Sequence, residues 1–145
     1  MATQIRRQRE RDERRQRIVT AARDLAEALG QARARSAPGT APQQVLRAVL
    51  AAYLAFAAGH PAVYDAMFSQ PVAEPPPPPP PPAPPAGAFG VIAAVVEPLA
   101  VHQDPAALAE VVWSAVHGIA SLTRTGFLPL AAAQGRLDVL AGLVA

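Results

Sequence analysis

The stretch DPAALAEVVWSAVHGIASLTRT, residues 104–125, decides the fold of this chain. Asp104 suits a helix N-cap, Pro105 suits the first helical position, and Gly126 suits a helix end. Apolar side chains recur at spacings of three and four between these limits: Leu108, Val112, Ala115, Ile119 and Leu122. Further apolar residues widen this face: Val111, Val116 and Ala120. The stretch therefore predicts one long helix that is covered on more than one side and that anchors a core through Trp113.

The rest of the chain has the same helical period, and no long alternation of apolar and polar residues indicates a strand. Gly30 and Gly59 are expected to end helices, and Pro98 to interrupt one. The predicted fold class is an all-α helical bundle preceded by one long basic N-terminal helix. Its predicted parts are the basic helix over 1–30, a loop over 31–41 and a helical regulatory domain over 42–145, with individual helices over 42–58, 61–68, 88–101, 105–125 and from Pro129 onward.

Composition excludes several function classes. The chain has 145 residues, is 51% hydrophobic and contains no cysteine, so it can bury one core but has no disulfide, thiolate ligand or thiol nucleophile. Its thirteen basic residues are all arginine, which excludes mechanisms that need a lysine. No secretion signal precedes the apolar segments, and the longest uncharged apolar stretch is too short to span a bilayer comfortably. We expect a cytoplasmic protein without a membrane partner.

Charge is distributed unevenly along the chain. Residues 1–35 contain ten arginines and five acids, whereas residues 36–145 contain three arginines and six acids. The N-terminal charges predict either a solvated helix stabilised by i,i+4 ion pairs or a surface that contacts phosphate groups. The candidates for phosphate contact are Arg6, Arg7, Arg14, Arg15 and Arg17.

A set of large side chains predicts either ordinary core or a pocket for a small apolar ligand between helices: Tyr53, Phe56, Tyr64, Met67, Phe68, Trp113 and His117. His117 is expected to be either an interior histidine with satisfied hydrogen bonds or a ligand contact. The three histidines have no metal-ligand spacing, and no acid is placed to orient one for catalysis. We therefore predict no metal, no cofactor, no catalytic residue and no enzymatic activity.

A run of eight prolines occupies residues 75–82, and two more follow at 84 and 85. Proline lacks a backbone N–H and fixes φ, so this run excludes a helix or a central strand. The polyproline segment 75–85 is predicted to be a semi-rigid strap or linker. The alternative is a ligand for an aromatic-lined groove of another protein.

Two regions resemble the tetracycline-repressor-like (TetR/AcrR) family of bacterial transcription regulators. RRQRIVTAARDLAEALG, residues 14–30, resembles the opening helix of that family through Arg15, Ile18, Ala21, Ala22, Leu25 and Gly30. HPAVYDAMF, residues 60–68, and WSAVHGIASL, residues 113–122, are together similar to the C-terminal domain named for its Trp-His-Gly signature. Trp113, His117 and Gly118 match that signature in type and spacing.

The resemblance implies a helical domain that binds a small apolar effector among its middle helices and forms a homodimer through its last two long helices. The dimer-face residues that it implies are Leu108, Val112, Ile119, Leu122, Leu137 and Leu140. The chain departs from the family between Gly30 and Pro42, where twelve residues leave no room for a helix–turn–helix of about 20 residues or more. Either an internal deletion or a natural regulator without DNA contacts would explain this.

The predicted function is a TetR-like regulator that retains the effector-binding and dimerisation parts, with only weak or nonspecific contact to DNA. Two alternatives remain open. One is an interaction module that forms heterodimers with an intact regulator. The other is a nonspecific nucleic-acid binder that acts through the arginine-rich N-terminus.

Overall fold

A computed structural model describes residues 1–69 and 86–144, and the predicted polyproline segment 75–85 lies outside them. The described residues form helices and no strand, which confirms the all-α fold class. The helices are α1 (Ala2–Ala34), α2 (Pro42–Gly59), α3 (Pro61–Phe68), α4 (Gly87–Val96), α5 (Pro105–Arg124) and α6 (Ala133–Leu143). Short 3₁₀ turns follow α4 at Glu97–Leu99 and precede α6 at Leu130–Ala132.

Helix α5 packs against the bundle through one face and has the predicted ends. The prediction that it is covered on more than one side is wrong, since Val111 is 63% exposed and Leu122 is 45% exposed. The carboxylate of Asp104 accepts a hydrogen bond of 3.2 Å from the backbone N–H of Ala106, and Pro105 is the first helical residue. Gly126 has φ of 80°, a conformation that favours glycine after a helix end. Helices α2, α4 and α6 pack around α5, which buries Ala109, Val112, Val116 and Ala120.

Helix α1 is longer than the sequence predicts. It continues past Gly30 to Ala34, so the predicted stop at Gly30 and the loop predicted from residue 31 are wrong at this point. Gly30 keeps a helical backbone, and the following residues are good helix formers. Ala32 also packs against the core, which gives the extra turn a tertiary contact. The C-terminal half of α1 packs against α2 and α4 through Leu25 and Leu29.

The connection between α1 and α2 contains no helix–turn–helix. Helix α1 ends at Ala34, residues 35–41 form a short loop, and α2 begins at Pro42 and packs directly on α1. A helix–turn–helix needs two further helices at this position. The part of the chain between Ala34 and Pro42 therefore has no element that could enter a DNA groove.

A sharp bend between α2 and α3 creates the framework of the candidate site. The two helices meet at an angle of 104°, and His60 lies between them. Pro61 begins α3 as predicted. The bend returns the chain over α2, so that Tyr64 of α3 contacts Tyr53 of α2 and both side chains are buried.

Among the described helices, α5 alone is long and apolar enough to cross a membrane by itself, with a mean hydropathy of 1.3. The bent pair of α2 and α3 passes the same test when it is taken as one unit. A core helix of a helical bundle has the same length and hydropathy, and α5 packs in the bundle through one apolar face.

Candidate effector site and partner-facing surface

Helices α2, α3 and α5 bring five of the seven predicted pocket residues together in one cluster: Tyr53, Tyr64, Phe68, Trp113 and His117. We call this set the aromatic–histidine cluster. The ring of Phe68 lies 4.3 Å from the imidazole of His117 and 6.4 Å from the indole of Trp113, measured between ring centroids. Phe89 of α4 adds a further ring 5.5 Å from Trp113.

A chain of hydrogen bonds runs through the cluster. The Tyr64 hydroxyl lies 2.5 Å from His117 Nδ1 and 3.0 Å from the Tyr53 hydroxyl. On the other side of the ring, His117 Nε2 lies 3.5 Å from the Ser121 hydroxyl. In the tautomer that satisfies all these groups, Nε2–H donates to Ser121, while Nδ1 accepts from Tyr64, which in turn accepts from Tyr53.

The cluster is uncharged near neutral pH. Burial lowers the pKa of His117, which favours the neutral imidazole. Burial also raises the pKa of Tyr53 and Tyr64, so both phenols keep their protons. Such an arrangement offers neutral hydrogen-bond donors and acceptors at the base of an apolar surface, which suits recognition of an uncharged polar group.

Two predicted pocket residues lie apart from the hydrogen-bonded cluster. Phe56 is stacked on His60, with ring centroids 4.6 Å apart, and lines a separate cleft of about 650 Å³ between α1 and the α2–α3 bend. Met67 is half-buried and packs against the hydrophobic core. The predicted set therefore divides between two places, because residues three apart on one helix, here Tyr53 and Phe56, can contact different neighbours.

An ion pair fastens α3 to α5 beside the cluster. Both terminal nitrogens of Arg124 donate to the two carboxylate oxygens of Asp65, and the guanidinium lies 5.8 Å from the centre of the Tyr64 ring. These hydrogen bonds lower the pKa of Asp65 and raise that of Arg124. Sequence reasoning missed this pair and also Ser121. The spacing of Ser121 and Arg124 from His117, four and seven residues on the same helix, was the available signal.

The predicted dimer-face residues fall into three environments. Val112 and Leu137 are both 0% exposed, and Leu140 is also buried, so these three belong mainly to the core of a single chain. The inclusion of Val112 and Leu137 is therefore corrected, because neither leaves side-chain surface for a partner. Leu108 and Ile119 are half-buried, and Leu122 is 45% exposed.

A groove of about 630 Å³ lies between α5 and α6. Its lining residues include Ile119 of α5 and Val139 and Leu143 of α6. Val139 is 63% exposed and Leu143 is 78% exposed. We call these three side chains, with Val111 and Leu122 on the same side of α5, the α5–α6 apolar surface.

All five predicted phosphate-contact residues lie on the exposed N-terminal half of α1. Arg6 is paired with Glu10 at 3.4 Å, in the i,i+4 geometry expected on a helix. The described residues contain no group of three or more histidine, aspartate or glutamate side chains arranged to hold a metal ion.

Comparison with protein families gives one match. A family model described as "Tetracyclin repressor-like, C-terminal domain" matches residues 46–141, which include most of α2 and α6 and everything between them. Helix α1 lies outside the match. No curated protein and no solved structure matches the chain. The finer assignment to the Trp-His-Gly type stays a prediction, since the matched description does not specify it.

Proposed function

The chain belongs to the tetracyclin repressor-like C-terminal domain family, and on this premise we propose that it binds a small effector and dimerises as part of a transcription regulator. In this proposal the protein is cytoplasmic, has no catalytic activity and lacks a helix–turn–helix of its own between α1 and α2. The observation that carries the proposal is the aromatic–histidine cluster, where three helices bring neutral hydrogen-bonding groups under half-exposed rings.

The proposed effector is a small apolar molecule with one uncharged polar group. Phe68 is partly exposed, and Trp113 and Phe89 are half-buried, so their rings offer apolar contact area on the outer side of the cluster. His117 lies between these rings and the buried tyrosines, within hydrogen-bonding reach of Tyr64. Binding sites for small molecules commonly combine an apolar lining with a few oriented polar groups in this way.

The hydrogen bonds of the cluster suggest how an effector would act on the helices. A ligand that bonds to His117 Nδ1 must replace the hydroxyl of Tyr64. Tyr64 is next to Asp65, which holds α3 to α5 through Arg124. The effector would therefore change the position of α3 relative to α5, and its differential affinity for the two positions would set the size of the response.

The test uses the single tryptophan of the chain. Trp113 lies in the cluster, so its fluorescence should change on titration with small apolar molecules that carry one hydrogen-bonding group. Binding should also raise the unfolding temperature. Phe68→Ala should weaken this response about tenfold or more, whereas Phe127→Ala, at an exposed position after α5, should leave it unchanged. A panel that gives neither response, or equal loss in both variants, would contradict the proposed site.

The proposed dimer forms through the α5–α6 apolar surface. Large apolar side chains that are grouped and exposed commonly mark protein interfaces, and two copies of α5 and α6 would together make a four-helix contact. The same surface also favours the second candidate function, an interaction module that pairs with an intact regulator of the family. Mixing labelled chain with such a regulator tests this candidate, and failure to detect mixed dimers would remove it.

A further inference from the structure

The arginines of α1 occupy different sides of the helix, and some of them continue its buried face. Residues seven apart lie on nearly the same side of an α-helix. Seven residues after Arg11 is Ile18, which is half-buried, and seven residues further is Leu25, which is buried in the core. A second set at the same spacing also passes from exposed arginines to a buried residue: Arg7, Arg14 and Ala21. The side of α1 that packs against the core thus becomes a side lined with arginine where the helix extends into solvent.

Of the acidic residues in this segment, Glu10 lies at the edge of this side, three residues after Arg7 and four before Arg14, whereas Asp12 and Glu13 lie farther round α1. The residues that follow Glu10 and Glu13 at spacings of seven are all exposed, and Glu10 is paired with Arg6. The carboxylate of Asp12 accepts a hydrogen bond of 3.0 Å from the side chain of Gln8. Within the described residues, no carboxylate lies within 4.0 Å of a guanidinium nitrogen of Arg7, Arg11 or Arg14.

The helices that pack against α1 add no unpaired opposing charge. Neither α2 nor α4 contains an acidic residue, and the one acid of α3, Asp65, is paired with Arg124. The positive charges of Arg7, Arg11 and Arg14, together with the flanking Arg15, therefore form one strip whose adjacent acid, Glu10, is paired with Arg6 outside it. Its length is about 12 Å, since eight helical steps of about 1.5 Å separate Arg7 from Arg15.

We propose that this arginine strip, Arg7, Arg11, Arg14 and Arg15, is a binding site for the phosphodiester backbone of a nucleic acid. Guanidinium groups bond phosphate oxygens in a bidentate manner, and backbone contacts need no element that enters a groove. The site is thus independent of the absent helix–turn–helix and goes beyond the proposed effector and dimer functions.

The composition of the strip favours nucleic acid over a membrane surface. Residues 6–17 contain no apolar side chain, and the apolar residues that continue this side of α1, Ala21 and Leu25, are buried in the core of the chain. A helix that lies on a membrane needs an apolar face to insert between lipids. Charge complementarity with a polyanion is therefore the only interaction that this strip offers.

The test measures binding of the full chain to a short DNA duplex of arbitrary sequence by fluorescence anisotropy at several salt concentrations. Contact with three to four phosphates predicts a slope of log K against log salt of about −3 to −4. Affinity should then fall roughly 100-fold between about 50 mM and about 200 mM salt. Vesicles that contain anionic lipid serve as the second probe, and binding to them should be weaker than binding to the duplex.

Two variants of equal charge distinguish the strip from net charge. Arg7→Gln, Arg11→Gln and Arg14→Gln together should reduce the salt slope to about −1, since most phosphate contacts are removed. Arg6→Gln, Arg9→Gln and Arg17→Gln together, on the other sides of the same segment, should keep most of the slope. Glutamine is a good helix former, and circular dichroism verifies that both variants keep their helix content. Equal weakening in both variants, absent duplex binding at low salt, or preferential binding to vesicles would overturn the proposal.

Discussion

Helix α5 takes part in two apolar regions that differ in how far their side chains are bonded and covered within one chain. In the aromatic–histidine cluster, His117 and its neighbours satisfy one another within a single chain: the Tyr64 hydroxyl bonds the imidazole, and the rings of Tyr64 and Phe68 pack against it at a tilt. On the α5–α6 apolar surface, Val139 and Leu143 are mostly exposed and have a groove beside them. The polar groups of the first region are bonded within one copy, whereas no described residue covers Val139 and Leu143, and in our proposal a second copy covers them.

This difference separates two kinds of response. In the cluster, a ligand that bonds to His117 must exchange a hydrogen bond that the chain already makes. A region with uncovered apolar area gains stability in proportion to the surface that a partner removes from water. Changes in the cluster should therefore alter one chain's own stability, and changes on the α5–α6 apolar surface should alter association.

The largest expected effect comes from the core beneath the α5–α6 apolar surface. Leu137→Ala removes a fully buried side chain and should lower the free energy of unfolding by about 2–5 kcal/mol. Urea denaturation should show this loss at every protein concentration. Leu143→Ala is the matched change at an exposed position of the same helix, and its effect should appear only where dimers are populated. Similar losses in both variants at low concentration would remove the distinction between core and surface.

A charge on the α5–α6 apolar surface should weaken association without unfolding the chain. We expect Val139→Asp to raise the dimer dissociation constant by about 30-fold or more, equivalent to roughly 2 kcal/mol, because the carboxylate would lose its water on association. Val19→Asp makes the same change at an exposed valine of α1 and should leave the constant unchanged. Sedimentation equilibrium measures both. Unaltered association in Val139→Asp would place the dimer contact elsewhere.

Within the cluster, Tyr64→Phe should cost about 1–3 kcal/mol of unfolding free energy, because it leaves His117 Nδ1 and the Tyr53 hydroxyl without their shared partner. Tyr53→Phe removes a hydroxyl from the end of the chain of hydrogen bonds and should cost only about 1 kcal/mol. Chemical denaturation of the two variants gives this comparison. A larger loss of unfolding free energy in Tyr53→Phe than in Tyr64→Phe would contradict the assigned sequence of hydrogen bonds.

The smallest expected effect is the pH dependence of stability. Because burial holds the pKa of His117 below the ordinary histidine value of about 6.5, the unfolded chain binds more protons than the folded chain once the pH falls below that value. Stability should therefore be constant above about pH 7 and should decline as the pH falls through about 6.5 toward the lower pKa of the folded state. The measurement is the urea concentration at the midpoint of unfolding, plotted against pH. His117→Gln should flatten this part of the plot, and His102→Gln, at an exposed position, should not. A profile that His117→Gln leaves unchanged would contradict the assignment.

Local chemistry made much of the fold predictable. Asp104, Pro105 and Gly126 gave α5 its ends because capping and φ preferences act within a few residues. The same reasoning was wrong at Gly30, where helix-forming neighbours and a core contact at Ala32 continue the helix. A glycine ends a helix only where the residues that follow it gain no stability from continuing the helix.

The sides of α5 could not be assigned from periodicity alone. Two neighbouring strips of this helix are apolar, and one of them is buried: Ala109, Val112, Val116 and Ala120. The other runs through Leu108 and Leu122 and is partly exposed. Helical spacing identifies both strips, but packing against α2, α4 and α6 determines which is inside. The pair of Asp65 and Arg124 was missed for the same reason, since 59 residues separate its members.

Thiol labelling tests the contrast between the two regions most directly, because the chain has no cysteine of its own. Val139→Cys places one thiol on the α5–α6 apolar surface, and Val19→Cys places one at an exposed site on α1. We predict that maleimide labelling of the first slows as the protein concentration rises, because a second copy covers it, while labelling of the second stays constant. Equal, concentration-independent labelling of both thiols would contradict the account.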